Sequence, residues 1–478
     1  MRLRVFPILL LVAIGGALAQ GLPDLGDVAE AGFTPLQERR LGESIMREIR
    51  ADRSYYDDAE ATDFISALGK RLASRSMESR QDFDFFLIRD PQINAFALPG
   101  GFIGVNTGLL LAAQAESELA GVMAHEIAHV TQRHIARMIA QQKQSAITSL
   151  ATLAAALLLS RVSSQATEAA VAFGTASAIQ NQLNFTRDNE READRVGLQI
   201  LDQAGFDPRG MAGFFERLQR ATRAYDSSAP SYLRTHPLTY ERIADMQSRT
   251  EGGGYRQIPD SLEFQLIRAK LRARLDPPRE AIAFFESGLT ERKFLSEAAS
   301  RYGLAASLTR VKEYRRARKE LDAVRKLAPA SPIVETLACE LALGERGLEA
   351  AVGCYREALK IYPSYRALNY EYADTLLRVG RADAALAVVE ERLRSITDDY
   401  RLYLLQARAY AALNKQLAQH RAQAEAYVRI GNLPAAVEQL RIGLKSGDGD
   451  FYQMSSAESR LKELRRIEEE MRREAAKR

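Results

Sequence analysis

Between residues 317 and 389 the sequence repeats itself every 34 positions. Ala317, Leu321, Val324 and Pro329 are answered by Ala351, Tyr355, Ala358 and Pro363, and Ala385 and Val389 fall one further step on. An earlier copy stands at Ala281, Phe285 and Gly288. A later one, with its spacing stretched, stands at Ala435, Val437 and Leu440. The apolar residues of a copy fall three or four apart, the spacing of one helix face. A unit of this length holds a pair of helices that buries too little surface to stand alone. Stacked copies share one continuous core and build a solenoid with a concave binding face.

Small residues where the helices cross and a proline after the second helix are the tetratricopeptide (TPR) signature. The tryptophan of that pattern is absent, since the chain has none. The expectation is a divergent TPR domain over 262–455 and a mixed-charge helix over 456–478 acting as a solvated cap.

The other end of the chain reads as an address. Arg2 and Arg4 precede the apolar Ile8–Ala13, and Ala17-Leu18-Ala19 makes a small-x-small site, which predicts a signal peptide over 1–19 and a periplasmic protein. Residues 20–33 read as a flexible leader. A net charge of +4 on 478 residues lacks the concentrated basic patch that nucleic acid demands, so no nucleic-acid partner is expected. Cys339 and Cys354 are the only cysteines, and a disulfide and two buried thiols are both compatible with an exported chain.

Residues 34–255 carry the chemistry. Leu36, Leu41, Ile45 and Ile49, then Phe64, Leu68 and Leu72, predict two helices. Asp82–Arg89, Ile93–Leu98 and Phe102–Asn106 are rich in aromatic and branched residues around Pro99-Gly100-Gly101, which predicts a small antiparallel sheet with a tight turn. One long helix is expected over 115–142 and another over 186–203. Ala146–Ser160 is apolar, but as a helix it spans only about 22 Å, short of a bilayer core about 30 Å thick. It reads as a buried or flap helix with at most peripheral membrane contact.

Residues 125–129 are His-Glu-Ile-Ala-His. One helical turn apart, His125 and His129 point the same way and can both reach one zinc ion, while Glu126 sits where it can take a proton from a bound water. A catalytic zinc wants a third protein ligand and an open position. Glu190 and Asp194 are again one turn apart: Glu190 can supply the ligand, and Asp194 can accept the free N–H of a ligating histidine. Glu192, about 200° further round that helix, faces elsewhere. His134, five residues beyond His129, reads as structural.

His125–His129 followed by Glu190-Arg-Glu-Ala-Asp194 resembles the family of zinc metallopeptidases that includes the CAAX prenyl proteases and HtpX. The TPR tail and the signal peptide narrow it to a periplasmic branch of that family that acts in outer-membrane protein assembly, and that resemblance spans nearly the whole mature chain. It implies that His125, His129 and Glu190 bind one Zn2+ per chain, that Glu126 is the general base, and that Asp194 supports the ligands. It also implies protein substrates among outer-membrane proteins and their assembly machinery. Members often carry a His-Pro with a nearby Arg, matched here by His236-Pro237 and Arg242. His236 then either donates to the developing oxyanion or fills the open metal position and keeps the site latent. Within Ala95–Val105, an exposed edge strand with Phe96, Ala97 and Leu98 would let an extended substrate add as a further strand.

The expected fold is therefore mainly α: an α+β zincin-type peptidase domain followed by a TPR solenoid. The expected function is a periplasmic zinc endopeptidase acting on misfolded or stalled envelope proteins. The competing class is a chaperone or assembly adaptor whose peptidase site stays latent.

Overall fold

The computed structural model describes residues 33–76, 81–141, 186–224, 231–251 and 258–476. The expected signal peptide, the expected leader up to residue 32 and the apolar segment 146–160 lie outside the described residues. Among the described residues, no helix is long and apolar enough to cross a membrane.

Thr34 and Gln37 form a capping box that starts α1 (Pro35–Ala51), and Asp58 accepts from the Ala61 amide to start α2 (Ala59–Ala73). The centre of their apolar faces, Ile45, Ile49, Ile65 and Leu72, is fully buried, while Leu36 in the first turn of α1 stays exposed. The three strands are β1 (Asp84–Ile88), β2 (Ala95–Leu98) and β3 (Phe102–Asn106).

The sheet is mixed, which corrects the antiparallel expectation. Its order is β1-β3-β2, with β3 antiparallel to β2 but parallel to β1. The Pro-Gly-Gly turn makes the β2–β3 hairpin, with Gly100 and Gly101 at φ of +78° and +87°. That hairpin enters with its second strand beside β1. Composition marks each strand as buried, but every β3 residue is buried, so no polar face declares which neighbour it takes.

The turn is also where α1 docks. A Cβ on Gly42 would lie 2.0 Å from the Pro99 carbonyl oxygen, and Arg39 donates to the Gly100 carbonyl at 2.9 Å. Gly42→Ala should therefore cost about 1–3 kcal/mol by overpacking, despite alanine's better helix propensity of about 1 kcal/mol. A fall in the urea unfolding midpoint checks this, and an unchanged or raised midpoint would mean that the helix shifts without cost.

After β3 come α3 (Thr107–Ala112) and α4 (Glu116–Thr131), the central helix, every residue of which is buried. The single long helix expected over 115–142 is instead broken. Arg133 adopts a left-handed φ of 51°, and α5 (His134–Gln141) leaves in a new direction. Its guanidinium pairs with Glu38 at 2.6 Å and donates to the Phe33 carbonyl at 2.7 Å, tertiary contacts that stabilise an otherwise unfavourable backbone. Then follow α6 (Arg187–Gln203), α7 (Arg209–Ala224), α8 (Ser231–Thr235) and α9 (Tyr240–Glu251).

The solenoid follows as consecutive helix pairs. They are α10 (Leu262–Leu275) with α11 (Pro278–Glu291), α12 (Glu297–Arg310) with α13 (Tyr314–Leu327), and α14 (Pro332–Arg346) with α15 (Leu348–Ile361). Next come α16 (Arg366–Arg378) with α17 (Ala382–Leu393), α18 (Tyr400–Ala412) with α19 (Gln416–Arg429), and α20 (Leu433–Gly443) with α21 (Phe451–Ala476). The second helices starting at Tyr314, Leu348, Ala382 and Gln416 are 34 residues apart, which makes this a TPR-type solenoid. The stretched copy at Ala435 is corrected: those residues belong to α20, the first helix of its pair. The repeat in register with Ala385 falls on α19, whose Gln419 and Gln423 hide it. Cys339 of α14 and Cys354 of α15 form a disulfide across one pair.

The solenoid closes on the segment that starts α2. Lys270 of α10 lies 2.7 Å from both Asp58 and Glu60, Arg401 lies 2.8 Å from Asp57, and Arg366 pairs with Asp63. Phe64 and Phe264 pack beside this network with ring centroids 6.2 Å apart.

Candidate metal centre

Helix α4 brings His125, Glu126 and His129 into the middle of the N-terminal half, and all three have no exposed surface. Helix α6 can approach because Gly197 faces it. A Cβ there would lie 3.1 Å from the His125 Cα, so a larger residue would hold the two helices apart. The close approach delivers Glu190 and Asp194. His129 Nε2 lies 3.0 Å from His125 Nε2 and 3.3 Å from Glu190 Oε1, and His125 Nε2 lies 3.5 Å from Glu190 Oε2.

His236, just after α8, enters the same cluster with its Nδ1 3.0 Å from Glu190 Oε1 and its Nε2 3.6 Å from Glu126 Oε1. Tyr232 stacks on its ring at 4.6 Å and 22°, which sets the plane of the imidazole. One ligand atom from each of His125, His129, Glu190 and His236 lies within 4.8 Å of the others. Nitrogen and carboxylate donors this close and this buried suit a tetrahedral cation of the zinc type. Glu126 strengthens the fit: it is fully buried against the cluster, and among the described residues no side chain hydrogen-bonds its carboxylate.

Asp194 lies 3.1 Å from His125 Nδ1, and Arg242 of α9 holds Asp194 by two contacts of 2.7 Å. Arg242 also reaches Glu190 Oε2 at 2.8 Å and donates to the Pro237 carbonyl at 2.7 Å. A buried guanidinium thus ties the carboxylates of α6 to the turn that carries His236. Sequence reasoning noticed Arg242 but gave it no such task.

The titration properties suit metal binding. Burial pushes the His129 imidazole well below its usual range, leaving it neutral. Burial presses on His125 too, but the Asp194 and Glu190 carboxylates outweigh it and bring its pKa up to about 9. Burial disfavours ionised Glu190, yet His236, His125 and His129 hold its carboxyl well below the usual range. Burial raises Glu126, with the His236 and His125 rings and the Ala97 amide pulling the other way. A cation entering here displaces a proton from His125, so metal affinity should rise with pH up to about pH 9.

Two further placements differ from expectation. His134 is fully buried, with its Nδ1 2.9 Å from His129 Nδ1 and its Nε2 3.1 Å from Glu192 Oε2, so Glu192 does face this neighbourhood. In an unbroken helix, residues five apart stand about 140° from each other, and only the turn at Arg133 allows the contact. Phe96, Ala97 and Leu98 do lie on an edge strand, but an exposed one was expected and none is more than 3% exposed. The strand packs against α4, and the Phe96 ring meets Phe86 edge-on over Gly104. The Asn106 amide donates to the Asn94 carbonyl. Alternation from that bond turns the Ala97 amide and carbonyl outward from the sheet, on the Glu126 side.

Residues 60–250 match the model of peptidase family M48. The beta-barrel assembly-enhancing protease of Escherichia coli (strain K12) is 32% identical over 457 residues, covering 94% of this chain and 92% of its own. The mitochondrial metalloendopeptidase OMA1 of Schizosaccharomyces pombe is 34% identical over 213 residues, covering 44% of this chain and 60% of its own. Among solved structures, the TPR protein YrrB, described as having an unusual peptide-binding site, aligns with 42% of this chain at 14% identity and a TM-score of 0.25.

Proposed function

Because the chain belongs to peptidase family M48 and is a metalloendopeptidase, we propose that it is a zinc-dependent enzyme of the periplasm that cleaves misfolded or stalled outer-membrane proteins. The observation that carries the chemistry is the convergence of His125, His129 and Glu190 beside a fully buried Glu126. Bound at this cluster, zinc supplies Lewis acidity to a water molecule and to the scissile carbonyl. Glu126 takes the proton from that water at its carboxylate and delivers it to the leaving amine. Asp194, clamped by Arg242, holds His125 in the ring orientation that a ligand needs.

The place of β2 at the edge of the sheet, with the Ala97 amide on the Glu126 side, supports Phe96, Ala97 and Leu98 as the strand beside which substrate lies. The similarity to the beta-barrel assembly-enhancing protease over 94% of this chain supports the choice of substrate class and the periplasm. On this reading the solenoid selects protein partners, including the assembly machinery.

His236 sits as a fourth donor within the cluster, which favours the latent form of the two roles open to it. A latent peptidase is compatible with the adaptor class as well. Peptidase activity on unfolded casein separates the two. His236→Ala should raise it on the order of tenfold or more, the gain when a site closed most of the time is opened. Glu190→Ala should lose both metal and activity. An inactive His236→Ala protein that still holds its zinc would shift the function to the solenoid.

A further inference from the structure

His129 has a partner that sequence spacing does not announce. Helix α5 turns back at Arg133 and places His134, with no exposed surface, against the far side of the His129 ring. The rings meet edge to face with centroids 4.8 Å apart and the two Nδ1 atoms 2.9 Å apart. Beyond His134, its Nε2 lies 3.1 Å from Glu192 Oε2, the same oxygen that Arg137 binds at 2.7 Å.

Proton bookkeeping along this row has one consistent solution for neutral rings. A carboxylate held by arginine is an acceptor, so His134 carries its proton on Nε2 and offers the Nδ1 lone pair. His129 must then donate from its own Nδ1, which leaves its Nε2 lone pair facing His125 and Glu190. The wrong tautomer of His129 would aim a proton at the metal.

We propose that His134, fixed by Glu192 and Arg137, is a positioning residue that sets the tautomer and ring orientation of His129 for metal binding. This rests on the reading of His125, His129 and Glu190 as the metal ligands. The two α4 histidines are thus oriented in different ways: His125 directly by Asp194, His129 through His134 by Glu192. Both carboxylates come from α6, which also carries Glu190, so one helix supplies a ligand and orients the other two.

Zinc affinity, measured by chelator competition on the full chain, tests the proposal. His134→Phe keeps the ring's bulk without an acceptor and should weaken zinc binding by about 10–100-fold. His134→Asn places an amide oxygen near the lost Nδ1 and should restore affinity to within a few-fold of wild type. Glu192→Ala should fall between them. With only five histidines in the chain, long-range ¹H–¹⁵N spectra of histidine-labelled, zinc-loaded protein read the tautomer without any substitution. They should show His129 protonated at Nδ1 and bound through Nε2.

Wild-type affinity in His134→Phe, with affinity lost in Glu190→Ala, would overturn the relay and leave the metal site standing. Undiminished affinity in Glu190→Ala would overturn the site itself. If the Phe variant fails to fold, an Nδ1-bound His129 in the wild-type spectra would still refute the proposal.

Discussion

Glu126→Gln should lower peptidase turnover by about 10²–10⁴-fold, the contribution of a positioned general base, while zinc content stays at one per chain. The amide is nearly isosteric, so the packing of a fully buried side chain is preserved. It cannot accept the proton that a carboxylate takes. The proposed ligands His125, His129 and Glu190 are untouched, so the metal should remain. The measurement needs the substitution in both the wild-type and His236→Ala backgrounds, because a closed site would hide the loss. Activity surviving in the open background would assign the base elsewhere. Zinc lost with Glu126 would make that residue a ligand.

The second large effect concerns how the two halves are held. Lys270→Ala should destabilise the protein by about 3–5 kcal/mol, the cost of leaving a buried carboxylate without its cation. Glu60 is 3% exposed, and beyond Lys270 its neighbours are the uncharged Thr336 and Tyr365 hydroxyls. Burial drives its proton affinity up, and the Lys270 ammonium at 2.7 Å is the principal counterweight. Asp58 loses the same cation but keeps the Ala61 amide, so the penalty falls mainly on Glu60. Removing the stranded charge as well, in Glu60→Gln with Lys270→Met, should recover most of the loss, because an apolar or neutral replacement has no ion to desolvate. Chemical denaturation followed by tryptic susceptibility at the boundary between the halves reads both variants. A loss below about 1 kcal/mol for Lys270→Ala would mean that water reaches this pair, as at an exposed ion pair.

Much of the molecule was legible because it depends on local periodicity. The 34-residue spacing of Ala317, Ala351 and Ala385 is a property of helix pairs, and stacking follows from what one pair cannot bury. The repeat was lost at α19, where Gln419 and Gln423 stand in place of apolar residues. His125 and His129 share a face because residues four apart on a helix must. Glu190 and Asp194 share one for the same reason, and the glycines of the Pro99–Gly101 turn declare the left-handed backbone that they adopt.

What only the tertiary structure decided are the meetings between elements. Nothing local says that Gly197 lets α6 approach His125, that Arg242 reaches back to Asp194 and Glu190, or that β3 inserts beside β1. Arg133 is the clearest instance. Its left-handed backbone is unfavourable by itself and is held by Glu38 and the Phe33 carbonyl, about a hundred residues away in the chain. That one turn changes His134 from a residue on the wrong side of a helix into a partner of His129. A helix face is set by neighbours within two turns, so the sequence alone determined which side chains point together. Which faces meet depends on contacts between distant residues, and those exist only once the chain has packed.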